Sequence, residues 1–451
     1  MNHGKRMNSR MKIRRATIVL LAAFCTASSA TVGQAQSAPP EKPAAPTPHT
    51  HEDPLASVLQ QAQDAITRGD FAAAIAPLQQ YIARYPDSAY AHFELGYVDA
   101  QLKHDDDAKS EFDRAISINP KMTEAHLNLG LLLLDTDPAA AATSFSFAAD
   151  LTPSDARPRF LYGFALERSG KLDDAVVQYN KAALLAPGDY EIAFGLARAL
   201  VRLGRSAEAE SEFRRAIALK PDSAPAQLGL AQSLEAQKKY SDAADVLAVY
   251  LKLQPDDRAA RSDRAYALMQ TNQFDAALAE LDLADAGAAP NATSLKMRAG
   301  IDIQQKNWKG AAAALQQAIP LSPADAELYA WLGRSLLELR EFPAAAGALN
   351  KSLAIDGTAV DPLRDLVDAY YLGGACPDAL ATLDRLSARE PLKPVAWFVR
   401  GTCYDKLAQK PEAVAAYQKY LDLDQGSHDT QDFQARQRIL SLQREMNHTR
   451  Q

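Results

Sequence analysis

The stretch from Ala156 to Asp189, ARPRFLYGFALERSGKLDDAVVQYNKAALLAPGD, contains two helical patterns that are separated by Ser169-Gly170. Large apolar residues recur at spacings of three and four on both sides of this break, which indicates one buried face on each helix. Gly163 lies within the first pattern, and Ala175 and Ala182 lie seven apart in the second, nearly on one face. Small residues at these positions allow two antiparallel helices to approach closely. A single hairpin of this kind leaves apolar surface uncovered, so the stretch predicts copies of itself above and below.

The same pattern recurs along most of the chain. A proline follows the second helix of nine copies at intervals of 33 to 35 residues, with one double interval in which Gly357 takes its place, and Gln425 takes the last position. The prolines are Pro86, Pro120, Pro153, Pro187, Pro221, Pro255, Pro290, Pro323 and Pro391. Each copy also has an alanine in the second helix and a large residue four positions later. These pairs are Ala74/Leu78, Ala108/Phe112, Ala141/Phe145, Ala175/Tyr179, Ala209/Phe213, Ala243/Leu247, Ala277/Leu281, Ala311/Leu315, Ala345/Leu349, Ala379/Leu383 and Ala413/Tyr417.

This period and this set of positions resemble the tetratricopeptide repeat (TPR) family, from about Leu55 to Gly426. The resemblance implies an all-α fold, a right-handed superhelical solenoid of about eleven antiparallel helix hairpins, over residues 55–427. Residues 428–451 predict a C-terminal capping helix and tail, in which Phe433, Ile439, Leu440 and Leu442 are expected to pack on the last repeat. The repeat spacing shifts by one residue near 286–291, which indicates either a change of superhelical pitch or a tolerated loop variation.

The first 35 residues are typical of a secretory signal peptide. Six basic residues precede an apolar run from Thr17 to Phe24 that is too short to span a bilayer. Small residues end possible cleavage sites at Ala30 and Ala35. We therefore expect export to the periplasm or the exterior, with a membrane anchor only where the signal stays uncleaved. Residues 36–54 are rich in proline and alanine, and predict a disordered linker.

Charge and motifs exclude several functions. The formal net charge is −7, and the basic residues before the apolar run leave an even more acidic body, which argues against a nucleic-acid partner. The sequence contains no GxSxG, HExxH, CxxC, Walker or GxGxxG motif. We therefore expect no catalytic activity, no cofactor and no metal site.

Two cysteines lie in the last two repeats. Cys376 opens the second helix of repeat ten, and Cys403 lies near the end of the first helix of repeat eleven. Both positions are at the same end of neighbouring hairpins. The sequence is compatible with a disulfide in an oxidising compartment, and equally with two separate buried thiols.

The resemblance also implies a ligand surface, because first helices line the concave groove in this family. Its exposed positions are the second, fifth, ninth, twelfth and thirteenth of each repeat. These positions carry aromatic residues and arginines in repeats two, four and five, the residue types that anchor interfaces. The candidate groove residues are Tyr90, Phe93, Tyr97, Arg157, Phe160, Phe164, Phe194, Arg198 and Arg202.

These features predict a non-catalytic scaffold or adaptor of the bacterial cell envelope that binds a peptide or protein segment in its groove. Two other functions remain open. The groove aromatics would also suit a glycan, as in a polysaccharide-export accessory protein. The solenoid would also suit an accessory subunit of an enzyme complex.

Overall fold

The computed structural model describes residues 55–287, 289–425 and 427–448. Within these ranges the chain forms 23 α-helices and one short 3-10 turn, and no β-strand. The predicted all-α architecture of repeated hairpins is therefore confirmed. The signal peptide, its cleavage sites and the linker were predicted in residues 1–54, which lie outside the described residues.

The chain divides into two compact units, one up to residue 246 and one from residue 247. Unit 1 contains five complete hairpins. The first helix of each hairpin has an odd number and the second has an even number. Its helices are α1 (Ala56–Arg68), α2 (Phe71–Arg84), α3 (Ala89–Leu102), α4 (Asp105–Ile118), α5 (Thr123–Leu133), α6 (Pro138–Leu151), α7 (Ala156–Arg168), α8 (Leu172–Leu185), α9 (Tyr190–Arg202), α10 (Ser206–Leu219) and α11 (Ala224–Ala236). The division falls inside α12 (Tyr240–Leu253).

Unit 2 contains five further hairpins and a last, longer helix. Its helices are α13 (Arg258–Gln270), α14 (Phe274–Asp285), α15 (Ala292–Gln304), α16 (Trp308–Ala318), α17 (Ala326–Glu338), α18 (Phe342–Ile355), α19 (Asp361–Leu372), α20 (Cys376–Ser387), α21 (Pro394–Lys406), α22 (Lys410–Asp424) and α23 (Asp429–His448). The 3-10 turn, Ile319–Leu321, follows α16.

A left-handed residue makes the turn inside ten of the eleven hairpins. In the hairpin of α7 and α8 it is Gly170, with φ +84°. A backbone in this region ends a helix and satisfies its last carbonyl groups, and here the amide of Lys171 donates to the carbonyl of Leu166 at 2.9 Å. The equivalent residues are Gly69, Lys103, Gly204, Lys238, Asn272, Lys306, Arg340, Gly374 and Ala408. Nearly every repeat therefore reverses direction by the same geometry.

The interior of a hairpin is built from one small and one large residue. Tyr179 of α8 is fully buried and its ring lies over Gly163 of α7. A Cβ at Gly163 would lie 2.9 Å from Cδ1 of Tyr179 and 3.2 Å from the carbonyl oxygen of Ala175. This separation is too close for a carbon atom. The small residues that define the sequence pattern are thus the points at which paired helices cross most closely.

The last helix, α23, packs differently from the prediction. Ile439 and Leu442 are buried against Tyr417 and Tyr420 of α22, as expected. Phe433 and Leu440 were also expected to pack, and this prediction is wrong, because both side chains are exposed.

Polar contacts surround the segment at which the repeat spacing shifts. The hydroxyl of Ser294 and the guanidinium of Arg298 both donate to Asp285, at 2.6 Å and 3.1 Å. The guanidinium of Arg258 donates to the carbonyl oxygen of Ala286 at 2.7 Å. These bonds link the end of α14 to α13 and α15. A change of superhelical pitch near 286–291 stays a prediction.

Candidate protein-binding groove

Unit 1 contains all nine candidate groove residues on three of its first helices. Tyr90, Phe93 and Tyr97 lie on α3 and are half-buried. Arg157, Phe160 and Phe164 lie on α7 and are also half-buried, and Phe194, Arg198 and Arg202 lie on α9. The aromatic side chains differ in how much surface they leave to a partner.

Phe194 belongs to the interior. Its ring is 7% exposed, stacks on Tyr190 with 5.7 Å between centroids, and contacts the edge of Phe213. Phe194 therefore stabilises the packing of α9 on α10 and offers little surface to a ligand.

The candidate residues on α3 contact neighbouring side chains. The ring of Phe93 lies 6.0 Å from that of buried Phe112, and the ring of Tyr97 lies 6.1 Å from that of Phe71. The amide of Gln63 donates to the hydroxyl oxygen of Tyr90 at 2.9 Å. These contacts hold the aromatic rings of α3 in fixed orientations.

Phe160, Phe164, Arg198 and Arg202 form one continuous surface, which we call the α7–α9 surface. The guanidinium of Arg198 lies over the ring of Phe164, 5.5 Å from its centroid. Phe160 lies one turn before Phe164, and a Cβ on Gly195 of α9 would lie 3.2 Å from its ring. The structure thus brings four of the nine predicted residues together.

The buried carboxylate of Glu167 organises this surface. Arg198 donates to it twice, from Nε to Oε1 at 3.0 Å and from Nη2 to Oε2 at 2.7 Å. Arg202 donates from Nη1 to Oε1 at 3.1 Å and to the Glu167 carbonyl oxygen at 3.2 Å. The hydroxyl of Tyr179 donates to Oε2 at 3.0 Å. Both carboxylate oxygens therefore accept two hydrogen bonds each, and two arginines of the next repeat are fixed in place.

The pKa values of two groups in this network, Arg198 and Tyr179, are both raised. Burial opposes the charged form of Arg198, but the hydrogen bonds and the charge of Glu167 outweigh it and raise the pKa of Arg198. Burial and the negative charge of Glu167 raise the pKa of Tyr179 well above its ordinary value. Arg198 is therefore positively charged and Tyr179 protonated at any physiological pH.

Glu167 was not among the candidate residues, although it occupies the twelfth position of repeat four, one of the positions that face the groove. The sequence feature that could have indicated its role is a pair of arginines, Arg198 and Arg202. They lie 31 and 35 residues later, at the ninth and thirteenth positions of the next repeat. An acid on one first helix and two bases on the following first helix face each other when the repeats stack.

Unit 2 has a charged cleft between α17 and α19. The cleft has a volume of about 460 Å³ and is lined by Arg334, Asp361, Arg364, Asp365 and Asp368. Arg334 donates to Asp365 at 2.6 Å, and Arg364 donates to Asp361 at 2.6 Å. Burial raises the pKa of Asp365 above its ordinary value, and burial followed by repulsion from Asp365 raises that of Asp368.

Cys376 and Cys403 belong to one buried cluster with Val367, Leu383 and Val399. Both cysteines are free thiols. Burial, followed by a hydrogen bond with Cys376, raises the pKa of Cys403 to about 12. The thiols are thus close neighbours on α20 and α21, and the disulfide and the two separate thiols both stay predictions.

The described part of the chain has neither a metal-binding cluster nor a membrane-spanning helix. Histidine, cysteine, aspartate and glutamate side chains form no group of three or more that could hold a metal ion. None of the described helices combines the length and the hydropathy that crossing a bilayer requires.

Comparison with known proteins identifies the family. The tetratricopeptide repeat profile matches residues 59–121, 135–191, 194–258, 298–360 and 364–428, which is well over half of the chain. The chain therefore belongs to the tetratricopeptide repeat family. This repeat generally forms non-catalytic scaffolds for protein interaction. No significant relative was found among curated protein sequences.

Solved structures with the same repeat are similar only at a distance. YrrB, described as a TPR protein with an unusual peptide-binding site, is 18% identical, with a TM-score of 0.38 over 41% of this chain and 95% of its own. MamA from Desulfovibrio magneticus RS-1 is 21% identical, with a TM-score of 0.36 over 38% of this chain and 97% of its own. Yeast Tom70 is 12% identical, with a TM-score of 0.35 over 87% of this chain and 96% of its own.

Proposed function

We propose that this protein is a non-catalytic scaffold of the bacterial cell envelope that holds a peptide segment of a partner protein on the α7–α9 surface. The observation that carries the proposal is the network around Glu167. It fixes two arginines beside half-exposed aromatic rings before any partner arrives. A surface that is already ordered loses less conformational entropy on binding, and so binds more tightly.

The cost of the network supports a role in recognition. Removing a carboxylate and a guanidinium from water is unfavourable, and an apolar pair of similar size would often stabilise the same helix contact better. Other buried positions of α9 are apolar, such as Phe194 and Leu196. An ion pair at the groove position therefore suits a surface that presents charge.

The remainder of the proposal comes from the sequence. The basic and apolar segments within residues 1–35 support export, and so a periplasmic or secreted location. The acidic composition supports a protein partner over a nucleic acid.

A quantitative pull-down from the envelope fraction tests this function. The variant carries Phe160→Ala and Phe164→Ala, which remove the half-exposed rings. The matched control carries Val177→Ala and Leu184→Ala, two exposed apolar residues of α8 in the same repeat.

We expect the control to recover the same partners as wild type, and the groove variant to lose at least one of them. The lost partner should also bind purified wild-type protein through an isolated peptide segment. Equal recovery by all three proteins would contradict the proposal. Loss of a glycan in place of a protein would favour a glycan-binding function for the same surface.

A further inference from the structure

We infer that the segment bound on the α7–α9 surface carries an acidic side chain that pairs with Arg202, next to an apolar side chain that packs on Phe160 and Phe164. This inference rests on the proposed function and specifies the chemistry of its ligand.

The hydrogen bonds of Arg202 leave part of its guanidinium available. Both of its bonds to Glu167 come from the same nitrogen, Nη1. Its Nε and Nη2 donate to no other group within the described residues, and the side chain is 44% exposed. The planar guanidinium is thereby held at one corner, with its other donors directed away from Glu167. A carboxylate accepts hydrogen bonds from two such donors at once.

Among the groups that are hydrogen-bonded to Glu167, positive charge exceeds negative charge. One carboxylate, Glu167, serves two guanidinium groups, Arg198 and Arg202, and its four acceptor positions are filled. Arg198 is the more enclosed of the two, and its charge is matched by the two bonds that it donates to Glu167. The remaining positive charge therefore lies on the exposed Arg202.

Both helices that carry the surface, α7 and α9, have a net positive charge. Together α7 and α9 contain five arginines and two glutamates, in a chain whose net charge is −7. Arg168, at the end of α7, is paired with Asp135 at 2.8 Å. A local positive surface attracts an acidic segment and repels a basic one.

The apolar part of the surface lies on α7, the helix that also carries Glu167. Phe164 is three residues before Glu167, and Phe160 is four residues before Phe164, so both rings share a face with the carboxylate that holds Arg202. A ligand side chain that packs on these rings brings its neighbours within reach of Arg202. The surface therefore favours a short segment in which an acidic and an apolar residue are close together.

Selection of peptides by the full-length protein provides a direct test. A library of random 12-residue peptides displayed on phage is selected on wild type, and the selected peptides are synthesised in pairs. In each pair one peptide has its aspartates and glutamates replaced by asparagine and glutamine. Affinities are measured for wild type, Arg202→Gln, the Phe160→Ala/Phe164→Ala variant, and Arg214→Gln, which removes an exposed arginine on α10.

We expect neutralised peptides to bind wild type about tenfold more weakly than their acidic partners, the effect of losing one charged hydrogen-bonded pair. The same replacement should have no effect with Arg202→Gln, and its full effect with Arg214→Gln. Arg202→Lys keeps the charge and should recover part of the difference, which separates loss of charge from local unfolding.

The possible failures are distinguishable. Peptides that require Phe160 and Phe164 but ignore neutralisation would overturn this inference and leave the proposed function intact. Peptides that bind equally well to the Phe160→Ala/Phe164→Ala variant would contradict the proposed function, and the inference with it.

Discussion

The α7–α9 surface of unit 1 and the α17–α19 cleft of unit 2 share the fifth and ninth repeat positions but differ in their chemistry. Helices α7 and α9 contain five arginines and two acidic residues, whereas α17 and α19 contain two arginines and five acidic residues. The ninth position is arginine in repeats five and nine. Arg198 and its partner Glu167 have side chains that are 13% and 5% exposed, whereas Arg334 and its partner Asp365 are 48% and 18% exposed.

The repeat therefore sets the position of a side chain on its helix, and the neighbouring residues determine its burial and charge environment. In unit 1 the acid is buried and the bases surround it, so the surface is rigid and positive. In unit 2 the acids outnumber the bases at the mouth of a cleft, and the pKa values of Asp365 and Asp368 are raised. Four changes test how far this contrast extends.

The largest effect is expected for Glu167→Gln. The change leaves Arg198 without its charge partner in a buried position, which typically costs about 3–5 kcal/mol. Asp365→Asn, the equivalent change in unit 2, should cost less than about 1 kcal/mol because its partner stays solvated. Amide hydrogen exchange of α7, α9, α17 and α19 measures both effects locally. Equal losses would show that the two ion pairs do not differ as described.

Oxidation should affect unit 2 alone. If Cys376 and Cys403 form a disulfide, the bond joins α20 to α21 and stabilises these helices by about 3 kcal/mol. Protein treated with oxidised glutathione should then give a linked pair of tryptic peptides, 365–385 and 401–406, and slower exchange in α20 and α21. Exchange in α7 and α9 should stay unchanged. Two unlinked peptides after oxidation during refolding would show that the thiols remain separate.

A third comparison concerns two glycines at the eighth repeat position, Gly163 in unit 1 and Gly300 in unit 2. Gly163→Ala places a Cβ 2.9 Å from Tyr179, and we expect a loss of about 1–3 kcal/mol from overpacking. At Gly300 the nearest atoms belong to Trp331 and Met269, at 3.5 Å and 3.7 Å, which is ordinary contact. Gly300→Ala should therefore be neutral, or stabilising by up to about 1 kcal/mol, because alanine favours a helix. Urea unfolding of both variants checks this, and destabilisation by Gly300→Ala would be the contrary result.

The smallest effect is expected for Asp368→Asn. Because its pKa is raised from 3.8 in the folded protein, the fold retains a proton that the unfolded chain has released, and this stabilisation is lost as pH rises through the raised pKa. The variant should be more stable than wild type by about 0.5 kcal/mol at pH 7, and the difference should vanish near pH 3. Denaturation midpoints at both pH values measure it. A variant that is less stable than wild type at pH 7 would show that the charged form of Asp368 stabilises the fold.

The hairpins could be predicted from the sequence because the closest helix crossings require small residues. Gly163 and Tyr179 show this most clearly, since one leaves the space that the other fills. The exposure of first-helix residues could not be predicted in the same way. Phe194 occupies a groove position, but Tyr190 and Phe213 enclose its ring.

The candidate site was predicted in part. The aromatic rings and arginines of α7 and α9 were found, but Glu167 was not, because an acid in a helix is usually solvated. Only the contact between two successive repeats makes it the centre of a network. Phe433 and Leu440 are the opposite case, because residues that were expected to be buried are exposed. They follow an apolar pattern, but they lie on the outer side of the last helix, which no other described helix covers.

Photo-crosslinking can show whether a partner segment lies on the α7–α9 surface. A benzophenone amino acid replaces Phe164 in one protein and Leu184, exposed on α8, in another. Both are irradiated with the partner recovered by wild type, and the linked peptides are sequenced. We predict a crosslink from position 164 to a single segment that contains an acidic and an apolar residue, and none from position 184. Crosslinks from position 184 alone would show that the partner does not lie on the α7–α9 surface.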